Sequence, residues 1–237
     1  MSRGRIFAIG DLHLSFTSGK PMDLFGAEWE NHYEKICTNW HRTVNADDTV
    51  FIVGDISWSL KMDDAFEDLD WIRALPGTKV LLKGNHDLWW TSVGKLRARY
   101  EDMIFIQNDS CMVDERAICG SRGWLMPGDT QYAPSVDERV YNRELMRFRA
   151  SLESAVRLGA SELVIGMHYP PTPWPTVGSG FKQIIDEFGE GKKTTVVYGH
   201  LHGREAAKKG LKGCHGKVEY LLVAADYVNF TPVLISE

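Results

Sequence analysis

Short apolar runs punctuate the chain, and in the first half a helical pattern separates them. "RIFAI", "TVFIV", "KVLL" and "MIFI" are rich in β-branched and aromatic residues and read as strands. Between the first two, Trp29, Tyr33, Ile36 and Trp40 recur at helical spacing within "EWENHYEKICTNWHRTV". Before the third, "MDDAFEDLDWIRAL" sets Ala65, Phe66, Leu69 and Ile72 on one face, with Asp63 placed to cap the helix and Pro76-Gly77 to end it. Continuous apolar strands alternating with amphipathic helices predict a parallel sheet covered on both faces.

The second half changes rhythm. "CMVDERAICGS" predicts a hairpin, and a long helix follows from roughly Val136 to Leu158. Then "ELVIGM", "TTVVYG", "VEYLLVAA" and "PVLIS" follow one another through short polar or Gly-rich pieces. Strands with little helix between them predict a second, partly antiparallel sheet. No repeat, low-complexity tract or linker divides the chain, so residues 1–237 are expected to form one α/β domain, two sheets with helices outside.

Composition adds exclusions. A net charge of −5 argues against an extended nucleic-acid face, which needs an excess of Lys and Arg. It leaves room for a small phosphate-bearing substrate held through metal. The apolar run in "MSRGRIFAIGDLHL" is too short for a leader or anchor, and no later stretch is long enough to span a bilayer. Cys37, Cys111, Cys119 and Cys214 show no C-x-x-C pairing, and incidental thiols in a reduced, cytoplasmic chain are expected; a Cys111–Cys119 disulfide across the hairpin is conceivable and unneeded. Nothing in the pattern speaks to oligomeric state.

The chemistry lies in the polar residues at the carboxyl end of each apolar run. "IFAI" leads into "GDLH" (Asp11, His13), "VFIV" into "GDIS" (Asp55), and "VLLK" into "GNHD" (Asn85, His86, Asp87). "LVIG" leads into "MHYPP" (His168) and "TVVY" into "GHLHG" (His200, His202). In open α/β sheets the carboxyl ends of strands share one rim, and ligand sites form there, so these clusters are expected to converge. Two carboxylates, an amide oxygen and four imidazoles suit Mn, Fe or Zn better than the oxygen-seeking Ca or Mg. That is too many donors for one catalytic ion, but it fits two ions sharing a bridging carboxylate. Such ions, about 3.5–4 Å apart, activate a bridging water and clamp an in-line phosphoryl displacement. The Gly before Asp11, Asp55, Asn85 and His200 is expected to let the backbone bend sharply and approach the metals without a Cβ.

"GDLH", "GDIS", "GNHD", "MHYP" and "GHLH", in that order, resemble the calcineurin-like metallophosphoesterase superfamily. The resemblance covers essentially the whole chain. It implies a four-layer α/β/β/α sandwich and a phosphodiesterase or phosphatase with two divalent metal ions per chain, manganese first and iron or zinc as alternatives. By the same resemblance, Asp11, His13 and His202 would hold one ion, Asn85, His168 and His200 the other, and Asp55 would bridge them. His86 would face the scissile phosphate as charge stabiliser and general acid, with a metal-bridging hydroxide as the in-line nucleophile. The Ser/Thr protein phosphatases of the superfamily extend the second block as GDxxDRG, whereas "GDISWSL" has Trp58 in place of the acid. This argues for a small phosphodiester or phosphomonoester as substrate and leaves Asp87 or a backbone carbonyl to orient His86. The alternative is a non-catalytic interaction module on the same fold, which would be marked by lost ligands; none is lost.

Other residues have competing readings. Asp87 reads first as the N-cap of a helix starting near Leu88. Trp58, Trp89, Trp90, Trp124 and Trp174 lie near motif loops, either as an aromatic rim that stacks a flat leaving group or, for most of them, as packing residues. Arg122 in "CGSRGW" is either a phosphate anchor or a solvated loop arginine. Trp58, Trp174 and Arg122 are the candidate substrate contacts. "YPPTPWPTVGSG" is either part of the site's wall or a stiff connection, and His32, His41 and His215, outside the strand-end blocks, carry no assigned role.

Overall fold

Alternation along each strand sorts the apolar side chains into three separate cores. The computed structural model describes residues 4–173 and 178–237. In the first sheet β1 (Ile6–Ile9), β2 (Thr49–Val53), β3 (Thr78–Leu82) and β4 (Met103–Ile106) are parallel. The last strand, β11 (Val233–Ser236), returns antiparallel beside β1. The second sheet contains β5 (Ser110–Val113), β6 (Arg116–Ser121), β7 (Glu162–Met167), β8 (Lys193–Tyr198), β9 (Gly213–His215) and β10 (Val218–Leu222). Its spatial order is β5-β6-β7-β8-β10-β9, with the inner four parallel and both edges antiparallel.

Ile6, Ala8, Phe51 and Val53 point between the sheets, where they meet Ile118, Val164 and Val197. Their neighbours Phe7, Ile9, Val50 and Ile52 point the other way. There they pack against α1 (His32–Thr43), α2 (Phe66–Ala74) and α3 (Val93–Arg99). On the far side, α4 (Pro134–Arg157) and α5 (Gly180–Gly189) bury Phe148, Leu152, Phe181 and Ile185 against the second sheet. Helix, sheet, sheet and helix make the four-layer α/β/β/α sandwich. A strand covered on both faces must be apolar at every position, which is why the runs are continuous rather than alternating.

Several local expectations are corrected. The helix with the Trp29 pattern begins only at His32, because Asn31 adopts a left-handed φ of 51° and breaks it; Trp29 ends a 3-10 turn, Ala27–Trp29. Asp63 does not cap its helix with its side chain but lies inside a 3-10 turn, Asp63–Ala65, ahead of α2. No helix starts at Leu88; α3 starts at Val93, and its N-cap is Ser92, whose hydroxyl accepts from the Lys95 N–H. α5 separates β7 from β8, where only a short connection was expected: its Phe181, Ile184 and Ile185 follow the Pro-rich loop too closely for an isolated pattern to stand out. Cys111 faces Ile118 in the hairpin, and all four cysteines are free. No helix of the described residues is long and apolar enough to cross a membrane.

Candidate metal centre and active site

Parallel register brings the strand exits to one rim. Ile9 pairs with Ile52 and Val53 with Leu82, so Asp11, Asp55 and Asn85 leave neighbouring strands at the same edge. Met167 pairs with Tyr198, so His168 and His200 do the same from the facing sheet. Backbone bonds carry the ladder into the loops: the Asp11 N–H donates to the Gly54 carbonyl and the His13 N–H to the Asp55 carbonyl, both at 2.9 Å. The Gly199 N–H donates to the His168 carbonyl at 3.2 Å.

The turns themselves differ from expectation. Asp11, His13, Asp55 and His200 adopt left-handed φ values of 58°, 47°, 50° and 70°. Such backbone costs L-residues about 1–3 kcal/mol each, and it persists where the surrounding structure imposes it. The donor residues therefore make most of the bends assigned to the preceding glycines. Two glycines serve close approach instead: a Cβ at Gly84 would collide with the backbone nitrogen and carboxylate of Asp55, and one at Gly199 with the carboxylate of Asp11.

All seven candidate donors meet. Asp11, His13 and His202 present ligand atoms within 4.8 Å of one another, as do Asp11, Asp55 and His168. The Asn85 side-chain oxygen lies 2.7 Å from His168 Nε2 and 3.0 Å from His200 Nδ1. The Asp55 carboxylate stands between the groups, 3.3 Å from His168 Nε2 and 3.8 Å from His13 Nε2. His13 Nε2 and His202 Nε2 face each other at 3.2 Å, and His13 Nδ1 is buried without a hydrogen-bond partner. Lone pairs gathered this closely repel unless a proton or a cation lies among them, and nitrogen with oxygen donors suits a first-row divalent metal.

The electrostatics show the same strain. Burial alone would raise the Asp55 carboxyl, yet His168 and His13 hold it well below the usual carboxylate range. Burial would lower His168, but Asp55 and Asp11 push it up to about 9. His202 is likewise pushed down by burial and up by Asp11 and Asp226, to about 10. His200 falls to about 3, chiefly through burial and then through the neighbouring His168.

His86 lies beside this cluster. Its backbone N–H donates to Asp55 Oδ1 at 2.8 Å, and its ring packs on Trp58 with centres 4.3 Å apart. Burial lowers its pKa below the ordinary value. His13, Asp55, His86, His200 and His202 share a cavity of about 270 Å³. Trp58, Trp29, Phe25 and Met22 form its apolar wall.

Asp87 is neither a helix cap nor a partner of the His86 ring. Fully buried, its carboxylate accepts from the N–H groups of Ile56, Ser57 and Gly84 and from Trp89 Nε1, at 2.7–3.1 Å. It staples the exit of β2 to the exit of β3, and burial with the Asp55 charge raises its pKa to about 6. Arg122 lies outside the metal cavity, its guanidinium 4.5 Å above the Trp124 ring and 3.4 Å from Glu144. Its carbonyl accepts from both the His168 and Tyr169 N–H groups. Trp89 and Trp90 are core residues, Trp124 packs against the outer helical layer, and Trp174 lies outside the described residues.

Three participants escaped the sequence reading. Asp226 accepts from His202 Nδ1 at 3.0 Å and from the Gly203 N–H at 2.7 Å. Trp29 sets its edge against His13 and His202, with ring centres 5.8 and 5.6 Å away. Asp68 on α2 bonds the Ser57 hydroxyl and the Phe16 N–H, fixing the first two motif loops from outside. Only Asp226 carried a signal: "VEYLLVAAD" ends in a carboxylate, as the other strand exits do.

Residues 4–204 match the family model for calcineurin-like phosphoesterases, in keeping with the four-layer sandwich. The chain belongs to that family. The phosphopantetheinyl hydrolase PptH of Mycobacterium tuberculosis superposes with a TM-score of 0.55 at 14% identity, covering 98% of this chain and 96% of that one. Protein AQ665 of Aquifex aeolicus, of unknown function, gives 0.51 at 17% over 98% and 95%. TT1561 of Thermus thermophilus gives 0.53 at 13% over 86% and 84%. These identities speak to fold alone. The Gene 66 protein of Mycobacterium phage L5 is 36% identical over 77 residues, 32% of this chain, and the match spans 37% of that protein's length.

Proposed function

We propose that the chain hydrolyses a small phosphodiester or phosphomonoester with the help of two divalent ions, manganese foremost and iron or zinc as alternatives. The observation that carries this reading is the clustering of seven metal-type donors, four of which (His13, Asp55, His200 and His202) line a cavity that His86 also lines. Asp11, His13 and His202 would hold one ion, Asn85, His168 and His200 the other, and Asp55 both. When bound, the pair supplies Lewis-acid stabilisation of the phosphoryl charge and makes a water acidic enough to attack at neutral pH.

The remaining work falls to the chain. Asp226 holds the His202 ring by Nδ1, which leaves Nε2 to point at the donors. His86, fixed through its backbone to Asp55 and through its ring to Trp58, hydrogen-bonds the leaving oxygen and gives it a proton as the P–O bond breaks. Trp58, Trp29 and Phe25 offer an apolar wall to the leaving group, which favours a flat one such as an aryl or nucleoside moiety. Hydrolysis of an aryl phosphate and an aryl phosphodiester, measured with Mn, Fe and Zn, tests the reading. Activity abolished by a chelator and restored by metal is expected. A metal-loaded chain inert to every phosphoester would instead make it an interaction module.

A further inference from the structure

Beside the metal cavity lies a second one, of about 290 Å³, whose lining is cationic although the whole chain is acidic. Lys83, Arg122, Arg143 and Arg147 line it, and Glu144 is the one carboxylate among the lining residues. Glu144 is buried, and a single oxygen of its carboxylate serves three guanidinium groups: Arg147 at 2.8 Å, Arg122 at 3.4 Å and Arg143 at 3.9 Å. Only the first of these is a close charge-assisted bond, so the fan of guanidinium donors is far from saturated by one carboxylate oxygen. Lys83 Nζ donates to the Trp90 carbonyl at 2.8 Å, a neutral partner. Four cations against one carboxylate leave a formal excess of three positive charges in a half-enclosed space, where they repel one another more strongly than on an open surface.

The place of this cavity is equally informative. Lys83 stands two residues before Asn85, and the peptide of Arg122 receives the His168 N–H. The pocket is thus built from the exits of β3, β4 and β6 and from α4, and it shares the β3 exit with the metal centre. We propose that it is a second oxyanion site, taking a phosphate-class group through Lys83, Arg122, Arg143 and Arg147. Forked guanidinium donors match the tetrahedral oxygens of phosphate better than they match chloride or a lone carboxylate. The anion arrives either as free inorganic phosphate or as a second phosphate of the hydrolysed molecule.

The test is retention of labelled inorganic phosphate by the manganese-loaded full-length chain, compared with R143Q/R147Q. Glutamine keeps a donor for Glu144 and removes two charges. Wild type is expected to hold one phosphate per chain more than the double variant, or to hold that phosphate at least about tenfold more tightly, as losing two charge-assisted contacts implies. Lys83→Gln, which leaves the Glu144 pairs intact, should show the same loss, and thermal unfolding checks that both variants fold. Equal retention in all three proteins overturns the site. Failure of the metal centre would instead remove a phosphate from wild type and variants alike, so the two failures are distinguishable. A nucleoside 3′,5′-bisphosphate compared with an aryl monophosphate then identifies the source. A KM raised by R143Q/R147Q for the bisphosphate alone means a tethered group; KM unchanged for both means free phosphate.

Discussion

The Trp58 indole lies against the His86 imidazole with ring centres 4.3 Å apart and planes tilted by 51°, and it stacks on His13 at 4.7 Å and 17°. Among the described residues no side-chain oxygen bonds the His86 ring, so its orientation rests on packing where an acid would otherwise steer it. Trp58 is itself held, its Nε1 donating to Met22 Sδ at 2.9 Å and Lys20 Nζ sitting 3.1 Å from the centre of the ring. An aromatic shelf limits tilt without adding charge, so His86 keeps the lowered pKa that burial gives it.

Removing the shelf should therefore misplace the imidazole more than it weakens metal binding. Trp58→Ala is expected to lower kcat by about ten- to a hundredfold, the scale on which small misplacements act, while Trp58→Phe retains most of the rate. Steady-state kinetics alongside metal analysis check this. A kcat unchanged in Trp58→Ala would mean that the shelf does not position His86.

His86→Ala should act on chemistry alone. A positioned acid contributes about a hundred- to ten-thousandfold, and His86 is not among the seven candidate metal donors. The expected result is a kcat loss of that order with full metal content, measured on the purified manganese-loaded variant. Loss of metal together with activity would show His86 to be structural for the centre.

Asp226 gives a sharper comparison because its side chain bonds one candidate donor, His202. Asp226→Ala frees that ring, and losing such an outer hydrogen bond costs about ten- to a hundredfold in metal affinity. Titration with manganese against a competing chelator gives the number, and Asp226→Asn should recover part of it.

The contrast between Asp11 and Trp29 shows what the sequence makes legible. Asp11, Asp55, Asn85, His168 and His200 come directly after apolar runs, so strand register alone brings them together. The sheets were legible for the same reason, since a strand buried on both faces must be apolar throughout. What stayed hidden depends on packing between segments remote in sequence. Trp29 carried a helical spacing, but a left-handed Asn31 ends that pattern and turns the indole towards His13. Asp87 has the look of a cap, and only the fold shows four donors, from the loops after β2 and β3 and from Trp89, closing around it. Arg122 sits at a strand exit like the donors, yet its side chain leans over Trp124 into the neighbouring cavity.

Metal loading should be coupled to protons. In the metal-free chain His168 and His202, with pKa values of about 9 and about 10, carry protons at pH 7 that metal binding must expel. Calorimetry in buffers of different ionisation enthalpy should show proton release at pH 7, and apparent affinity should rise by up to about tenfold per pH unit for each proton expelled. The metal-free fold should respond in the opposite sense. Folded-state values raised above the unfolded histidine value add stability that is complete below about pH 6.5 and lost as pH rises through about 9 and about 10. Denaturant midpoints of the stripped protein should fall across that window while those of the loaded protein do not. A stripped chain whose midpoint rises instead would mean that the two imidazoles are neutral.

The staple between the motif loops can be tested through stability. Asp87 receives four hydrogen bonds in a fully buried site, three of them from backbone N–H groups of the loops that carry Asp55 and Asn85. Asp87→Ala strands those donors, and each unpaired buried group costs about 1–3 kcal/mol before the loops relax. A loss of about 3–5 kcal/mol in urea unfolding is expected, together with weaker metal retention. Asp87→Asn keeps one acceptor oxygen and should lose about half as much, because its amide nitrogen must face a backbone donor. Equal stability of the two variants would show that the carboxylate's geometry is not what joins the β2 exit to the β3 exit.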